Sequence, residues 1–208
     1  MKILLLGATG RVGTVLLEKM LQDGHEVVAL VRSPEKITLE HSNLYIVQGD
    51  VLDEEALKRA MTTISMEAVV SALNTDKNNV LSRYTPTIIQ LMNDYHVKRY
   101  IAIGTAGILN SRVNPSIYRF QSSESKRKTT TAAEDHAAAY ELLKESDLDW
   151  TVVCPTYLPE GEEVGDYRVE AEMLPVDGKK ISVQDTAAFA YKQLTEDTFI
   201  RKRVGIAY

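Results

Sequence analysis

A seven-residue turn close to the start of the chain constrains everything after it. Gly7-Ala8-Thr9-Gly10-Arg11-Val12-Gly13 follows directly on the apolar run Lys2–Leu6. It opens a stretch in which Val12, Val15, Leu16, Met20 and Leu21 recur at helical spacing, ending at Gly24. A strand, a glycine turn and an amphipathic helix in that order form the first unit of a parallel α/β sheet. The spacing G-x-x-G-x-x-G differs by one residue from the commoner dinucleotide fingerprint, but each glycine has the same use. Gly7 permits a tight exit from the strand, Gly10 lets the backbone approach a diphosphate, and Gly13 lets helix and strand pack closely. The free N–H groups at the helix start then face the anion. An ordinary strand–helix turn is the plainer alternative, but the surrounding pattern is the one dinucleotide binding requires.

The rest of the chain repeats the alternation. The spacing and composition predict strands at Glu26–Val31, Leu44–Val47, Ala68–Leu73, Arg99–Ile103 and Trp150–Val153. Helices are expected from Asp53, as an N-cap, through Met61, over Asn79–His96, over Ala132–Glu145, and over Ser182–Glu196 with Ser182/Asp185 capping. Val204–Ala207 reads as a last edge strand. Continuous apolar strands between amphipathic helices imply a Rossmann-like, doubly wound parallel sheet covered on both faces. At 208 residues the chain is expected to form one such domain, with a small C-terminal annex on the substrate side. Two stretches, roughly 106–131 and 157–180, lack periodicity and are expected to be substrate-side loops. The first carries Arg119, Lys126, Arg127 and Lys128, a cluster that reads as solvated surface.

The end of the second strand bears on which dinucleotide is bound. NAD-specific domains usually place an acid there for the ribose 2′-hydroxyl. Here the chain reads Ala29-Leu30-Val31-Arg32-Ser33. An acid repels a 2′-phosphate, whereas an arginine pairs with it through charge-assisted hydrogen bonds. Arg32 with Ser33 favours NADP over NAD, unless Arg32 is only a surface loop residue. Asp50-Val51, after the third strand, is placed to lie beside the adenine. Asp50 is suited to accept the exocyclic amine, to cap a turn, or both.

With these segments in view, the chain resembles the atypical short-chain dehydrogenase/reductases with an NAD(P)-binding, NmrA-like domain. The resemblance rests on Gly7–Gly13, Val31-Arg32-Ser33-Pro34, Gly49-Asp50-Val51, and the run from Glu134-Asp135-His136 to Cys154-Pro155. Within that family the order of segments is most similar to the beta-type biliverdin reductases, also called NADPH-dependent flavin reductases. The resemblance implies that Leu73-Asn74 passes beside the coenzyme ribose and that Gly104, Pro155 and Thr156 border the nicotinamide. It also implies that Thr105 stands where the family has a site serine, to orient the nicotinamide amide or bond the acceptor, or simply to close a strand-end turn. His136 matches a histidine of these reductases, either as a proton donor near neutral pH or as a structural helix residue. Tyr157 would stack on a planar substrate or pack its own loop.

Many relatives use a Tyr-x-x-x-Lys pair for acid–base work. The only match is Tyr140…Lys144, and it lies too close to Pro155 to be in register, so Tyr140 reads as a helix-face residue. Cys154, the single cysteine, excludes a disulfide framework and a cysteine-based metal site, and is expected to be a buried strand residue. No metal is expected. A net charge of −5 disfavours nucleic acid as a partner. No apolar run approaches the roughly 20 residues of a membrane span. The expectation is a cytoplasmic monomer or weak homodimer that passes hydride from NADPH to a planar acceptor: a flavin, bilin or quinone. A non-catalytic, NAD(P)-binding redox sensor is the alternative.

Overall fold

The computed structural model describes residues 1–125 and 129–208. Five strands follow the sequence pattern closely: β1 (Lys2–Leu6), β2 (Glu26–Val31), β3 (Leu44–Gln48), β4 (Ala68–Ser71) and β5 (Arg99–Ile103). β6 (Asp149–Pro155) is longer than expected, and β7 (Arg168–Ala171) and β8 (Lys202–Ala207) complete one eight-stranded sheet. Its order is β3-β2-β1-β4-β5-β6-β8-β7. All pairings are parallel except that of β7 with β8. This is the Rossmann-like, doubly wound arrangement, extended past β6 by two strands.

The helices are α1 (Arg11–Gln22), α2 (Glu54–Thr62), α3 (Val80–Asp94), α4 (Thr131–Lys144) and α5 (Val183–Lys192). Side chains alternate across each strand, so β1 feeds both cores. Leu4 and Leu6 pack with Leu57, Ile88 and Tyr140 of α2, α3 and α4. Ile3 and Leu5 pack on the opposite face with Leu16, Met20 and Phe189 of α1 and α5. The capping residues act as their types suggest. Asp53 accepts from the Glu55 N–H at 3.0 Å, and Ser182 from the Asp185 N–H at 3.0 Å.

Three expectations need correction. The fourth strand stops at Ser71, which leaves Leu73 in the following loop. β8 is not an edge strand, because β7 covers its outer side. β7 itself lies within the stretch read as irregular. Its four residues carry too little apolar pattern to show locally, and it exists because β8 offers an unpaired edge. The two long connections are pinned rather than open. The first forms 3-10 turns at Ala106–Ile108 and Arg119–Gln121. Arg119 pairs with Glu124 at 3.8 Å, while Lys126, Arg127 and Lys128 lie outside the described residues. The second folds back along α1, where Lys19 pairs with Glu163 at 2.6 Å. Among the described residues no helix is long and apolar enough to cross a membrane, and no cluster of side chains is arranged to hold a metal.

Candidate functional site

The first strand delivers the chain into Gly7 at φ +81°, a left-handed conformation that glycine adopts without strain. Gly13 is more tightly constrained: a Cβ there would lie 1.9 Å from the Gly7 carbonyl oxygen. Helix and strand end therefore touch through backbone alone. The Gly10 N–H donates to the Gly7 carbonyl at 3.0 Å and closes the turn. Gly10 is the N-cap of α1 but has no side chain to cap it, and the first turn holds no acidic residue. The leading N–H groups of α1, and the positive end of its dipole, are left for an anion.

Around this turn Gly7, Thr9, Arg32, Asp50, Val51, Leu73 and Asn74 line a single cleft. Leu30, Val31 and Gly49 form its inner wall, and Asp76 and Val80 its far side. The cleft lies over the C-terminal ends of β1 to β4, where the strand order runs outward in both directions from the β1–β4 pair. A glycine cradle, an uncapped helix start and a guanidinium on the wall together fit a dinucleotide with a diphosphate bridge. Asp50 also fulfils its structural role, accepting from the Leu52 N–H at 2.9 Å.

The other expected contacts divide by position. Ala8 and Val12 are buried in the core, so only their backbone faces outward. Arg11 turns away from the loop. Its Nη1 donates to the Leu158 carbonyl at 2.8 Å and pairs with Glu160 at 3.4 Å, tying the segment after β6 to the glycine turn. Ser33 precedes the 3-10 turn Pro34–Lys36 and makes no capping bond through its side chain. Gly104, Thr105, Pro155, Thr156 and Tyr157 sit at the ends of β5 and β6, next along the same sheet edge. The Gly104 N–H donates to the Val153 carbonyl at 2.7 Å. Thr105 Oγ1 accepts a long bond from the Gly107 N–H, at 3.4 Å, which is the turn-closing role. Pro155 is buried and Thr156 half-buried, while Tyr157 is 64% exposed and free to meet a ligand.

His136 lies apart from this cleft. It lines a separate cavity under α3 and α4 with Ser71, Tyr84, Tyr100 and Gly104. There the Tyr84 hydroxyl bonds Ser71 Oγ at 2.7 Å and the Tyr100 hydroxyl at 2.6 Å. Burial pushes the imidazole pKa down to about 4, so the ring is neutral at physiological pH and does not titrate near neutrality.

Tyr140 and Lys144 form no acid–base pair. Tyr140 is buried with its ring edge on Trp150 and its face 4.3 Å from the Arg203 guanidinium, and burial raises its pKa. Lys144 pairs with Glu141 at 3.3 Å. Cys154 is buried on β6 and burial pushes its thiol up to about 12, so it is not a nucleophile. Two residues with structural roles near the site escaped the sequence reading. Asp135 reaches from α4 into the β4–α3 connection, and Arg203 reaches from β8 into the loop after β5. Asp135 entered only as part of the run that carries the resemblance, and neither role shows locally, since the partners are far away in sequence.

Residues 7–197 match the family model described as NAD(P)H-binding. The chain belongs to this NAD(P)H-binding family. A provisionally assigned epimerase from Bacteroides thetaiotaomicron has a similar structure, with TM-score 0.84 and 29% identity over 100% of this chain and 96% of that one. A provisionally assigned NADH-flavin reductase from Streptococcus pneumoniae is similar with TM-score 0.80 and 24% identity, covering 100% and 99% of the two chains. ChuY, an anaerobilin reductase from Escherichia coli O157:H7, is similar with TM-score 0.81 and 20% identity over 100% and 97%.

Proposed function

We propose that this protein is an NADPH-dependent reductase that delivers hydride to a planar acceptor such as a flavin, bilin or quinone. The observation that carries the reading is the cleft itself: Gly7 and Thr9 of the glycine turn line one cavity with Arg32, and the second strand ends in a cation where NAD-specific domains carry an acid. When bound, the nicotinamide coenzyme supplies the hydride. The chain's own residues bind and orient. The N–H groups at the start of α1 hold the diphosphate, Arg32 pairs with the 2′-phosphate, and Asp50 and Val51 flank the adenine end. Leu73 and Asn74 hold the ribose side, and Thr105 and Thr156 face the nicotinamide end. Tyr157, exposed at the end of β6, offers a ring for a flat acceptor to stack on. Catalysis is then chiefly alignment, with the proton drawn from solvent, because His136 is neutral and Tyr140 is locked in the core.

The similarity to flavin and anaerobilin reductases is consistent with this acceptor class. The epimerase-like neighbour suggests a nucleotide-sugar reaction, but the tyrosine acid–base pair such chemistry draws on is built here as packing. A non-catalytic redox sensor is favoured by that same placement of Tyr140. Steady-state oxidation of NADPH against flavins, quinones and bilins, run beside NADH, separates the readings. Turnover with at least one flat acceptor, faster with NADPH, is the expected result. Tight coenzyme binding without turnover on any of them would establish the sensor instead.

A further inference from the structure

Asp135 is a carboxylate placed where a carboxylate is costly. It lies on α4, 3% exposed, and its two oxygens receive four hydrogen bonds. Oδ1 accepts from the Ser82 N–H at 2.9 Å and from Ser82 Oγ at 2.7 Å. Oδ2 accepts from the Leu81 N–H at 3.1 Å and from Thr75 Oγ1 at 2.5 Å. Burial works against the charge, but the bonds from Thr75 and Ser82 outweigh it and hold the carboxyl below its ordinary pKa. Asp135 is therefore ionised at neutral pH.

Three of the four bonds have a structural purpose. They satisfy the first turn of α3, whose N-cap residue Asn79 sits at φ +54° and gives no side-chain cap. The fourth does not serve the helix. Thr75 lies in the connection from β4, four residues past its last strand residue, Ser71. Its own N–H donates to Asn74 Oδ1 at 2.9 Å, and Asn74 with Leu73 lines the coenzyme cleft. A short rigid chain thus runs from α4 through Asp135 and Thr75 to the side chain of Asn74. A charged acceptor makes the middle link stronger than a neutral one would.

We infer that Asp135 is a positioning residue: through Thr75 it fixes the Asn74 side chain against the ribose side of the coenzyme, and so couples α4 to coenzyme affinity. The inference rests on the reading of the cleft as the coenzyme site. It makes α4 and the loop after β4 one mechanical unit, which the sequence separates by about sixty residues.

The test uses NADPH titration, followed by calorimetry, together with thermal melting of the full chain. Thr75→Val removes the link and leaves the α3 cap intact. It is expected to weaken NADPH binding about tenfold, while Tm falls by no more than in Ser82→Ala, since each variant loses one hydroxyl bond to the Asp135 carboxylate. Thr75→Ser keeps the hydroxyl and is expected to bind NADPH as the wild type does. Ser82→Ala trims the cap but not the link, and is expected to lower Tm while NADPH affinity stays within about twofold of the wild type. If Thr75→Val binds NADPH as tightly as the wild type, the positioning role is overturned while the coenzyme site stands. If affinity instead tracks Tm across all three variants, Asp135 is merely structural and the inference is again overturned. A wild-type chain that binds neither NADPH nor NADH overturns the coenzyme site, and this role with it.

Discussion

At the scale of single residues, charge and the absence of a side chain carry different parts of the site. Gly13 is fixed by geometry, because any Cβ would collide with the Gly7 carbonyl. Arg32 is set apart by chemistry: it is a cation in the cleft wall, which the proposed reading pairs with a 2′-phosphate. Replacing it should distinguish the two coenzymes. Arg32→Ala is expected to weaken NADPH binding about tenfold, as one exposed charge-assisted contact is lost, and to leave NADH binding unchanged. Equal loss for both coenzymes, measured by titration, would mean the guanidinium does not read the phosphate. Both residues were legible in the sequence because their roles are local: each acts within a few positions of a strand end. His136 was legible as a residue but not in its state, since the burial that lowers its pKa is completed by α3 and β5, far from it in sequence.

At the scale of elements, the decisive feature is how the last strands hold the loop after β5. Arg203 on β8 is 4% exposed. Its Nε donates to Glu172 Oε2 at 2.8 Å and its Nη2 to Asn110 Oδ1 at 2.7 Å. Its Nη1 donates to the Ile108 carbonyl, and its guanidinium stacks on Tyr140 and, at 5.4 Å, on Tyr118. One side chain therefore joins β8, the connection after β7, the 106–121 segment and α4. Arg203→Met removes the cation and leaves Glu172 Oε2 and the Ile108 carbonyl without their donors, while Oε1 keeps the backbone N–H of residue 203. It is expected to cost about 3 kcal/mol of stability in urea unfolding. Adding Glu172→Gln in that background should recover part of the loss. If the double variant is no more stable than the single one, the stranded carboxylate is not the source of the cost. None of this could be read from the 106–131 or 157–180 stretches alone, where the lack of periodicity predicted only loops. Their order comes from partners on other strands.

At the scale of the whole molecule, half-buried histidines make the fold lose stability on the acid side of neutrality. His136 has an ordinary pKa of 6.5 and a folded one of about 4, so between those values the unfolded chain binds the proton first. Stability is then fully present above about pH 6.5 and falls as the pH drops towards 4. His25, lowered by burial and by the chain's N-terminal ammonium, works in the same direction. Asp135 adds its loss only at lower pH, as its depressed carboxyl protonates. His136→Gln should flatten the slope between pH 6.5 and 4 by about 2 kcal/mol in urea unfolding, a figure reduced because the ring is partly open to solvent. An unchanged slope would show that the imidazole is free to charge in the folded state.

The sequence by itself determined the first five strands, the caps of α2 and α5, and the glycine turn. Those depend on apolar period, capping chemistry and glycine spacing within about twenty residues. The tertiary structure alone decided that β7 exists, that β8 is interior, that Tyr140 packs rather than reacts, and that Asp135 and Arg203 hold the site's loops. Each of these depends on which distant backbone edge or buried charge a residue meets, and that is set only when the two faces of the sheet close over their cores.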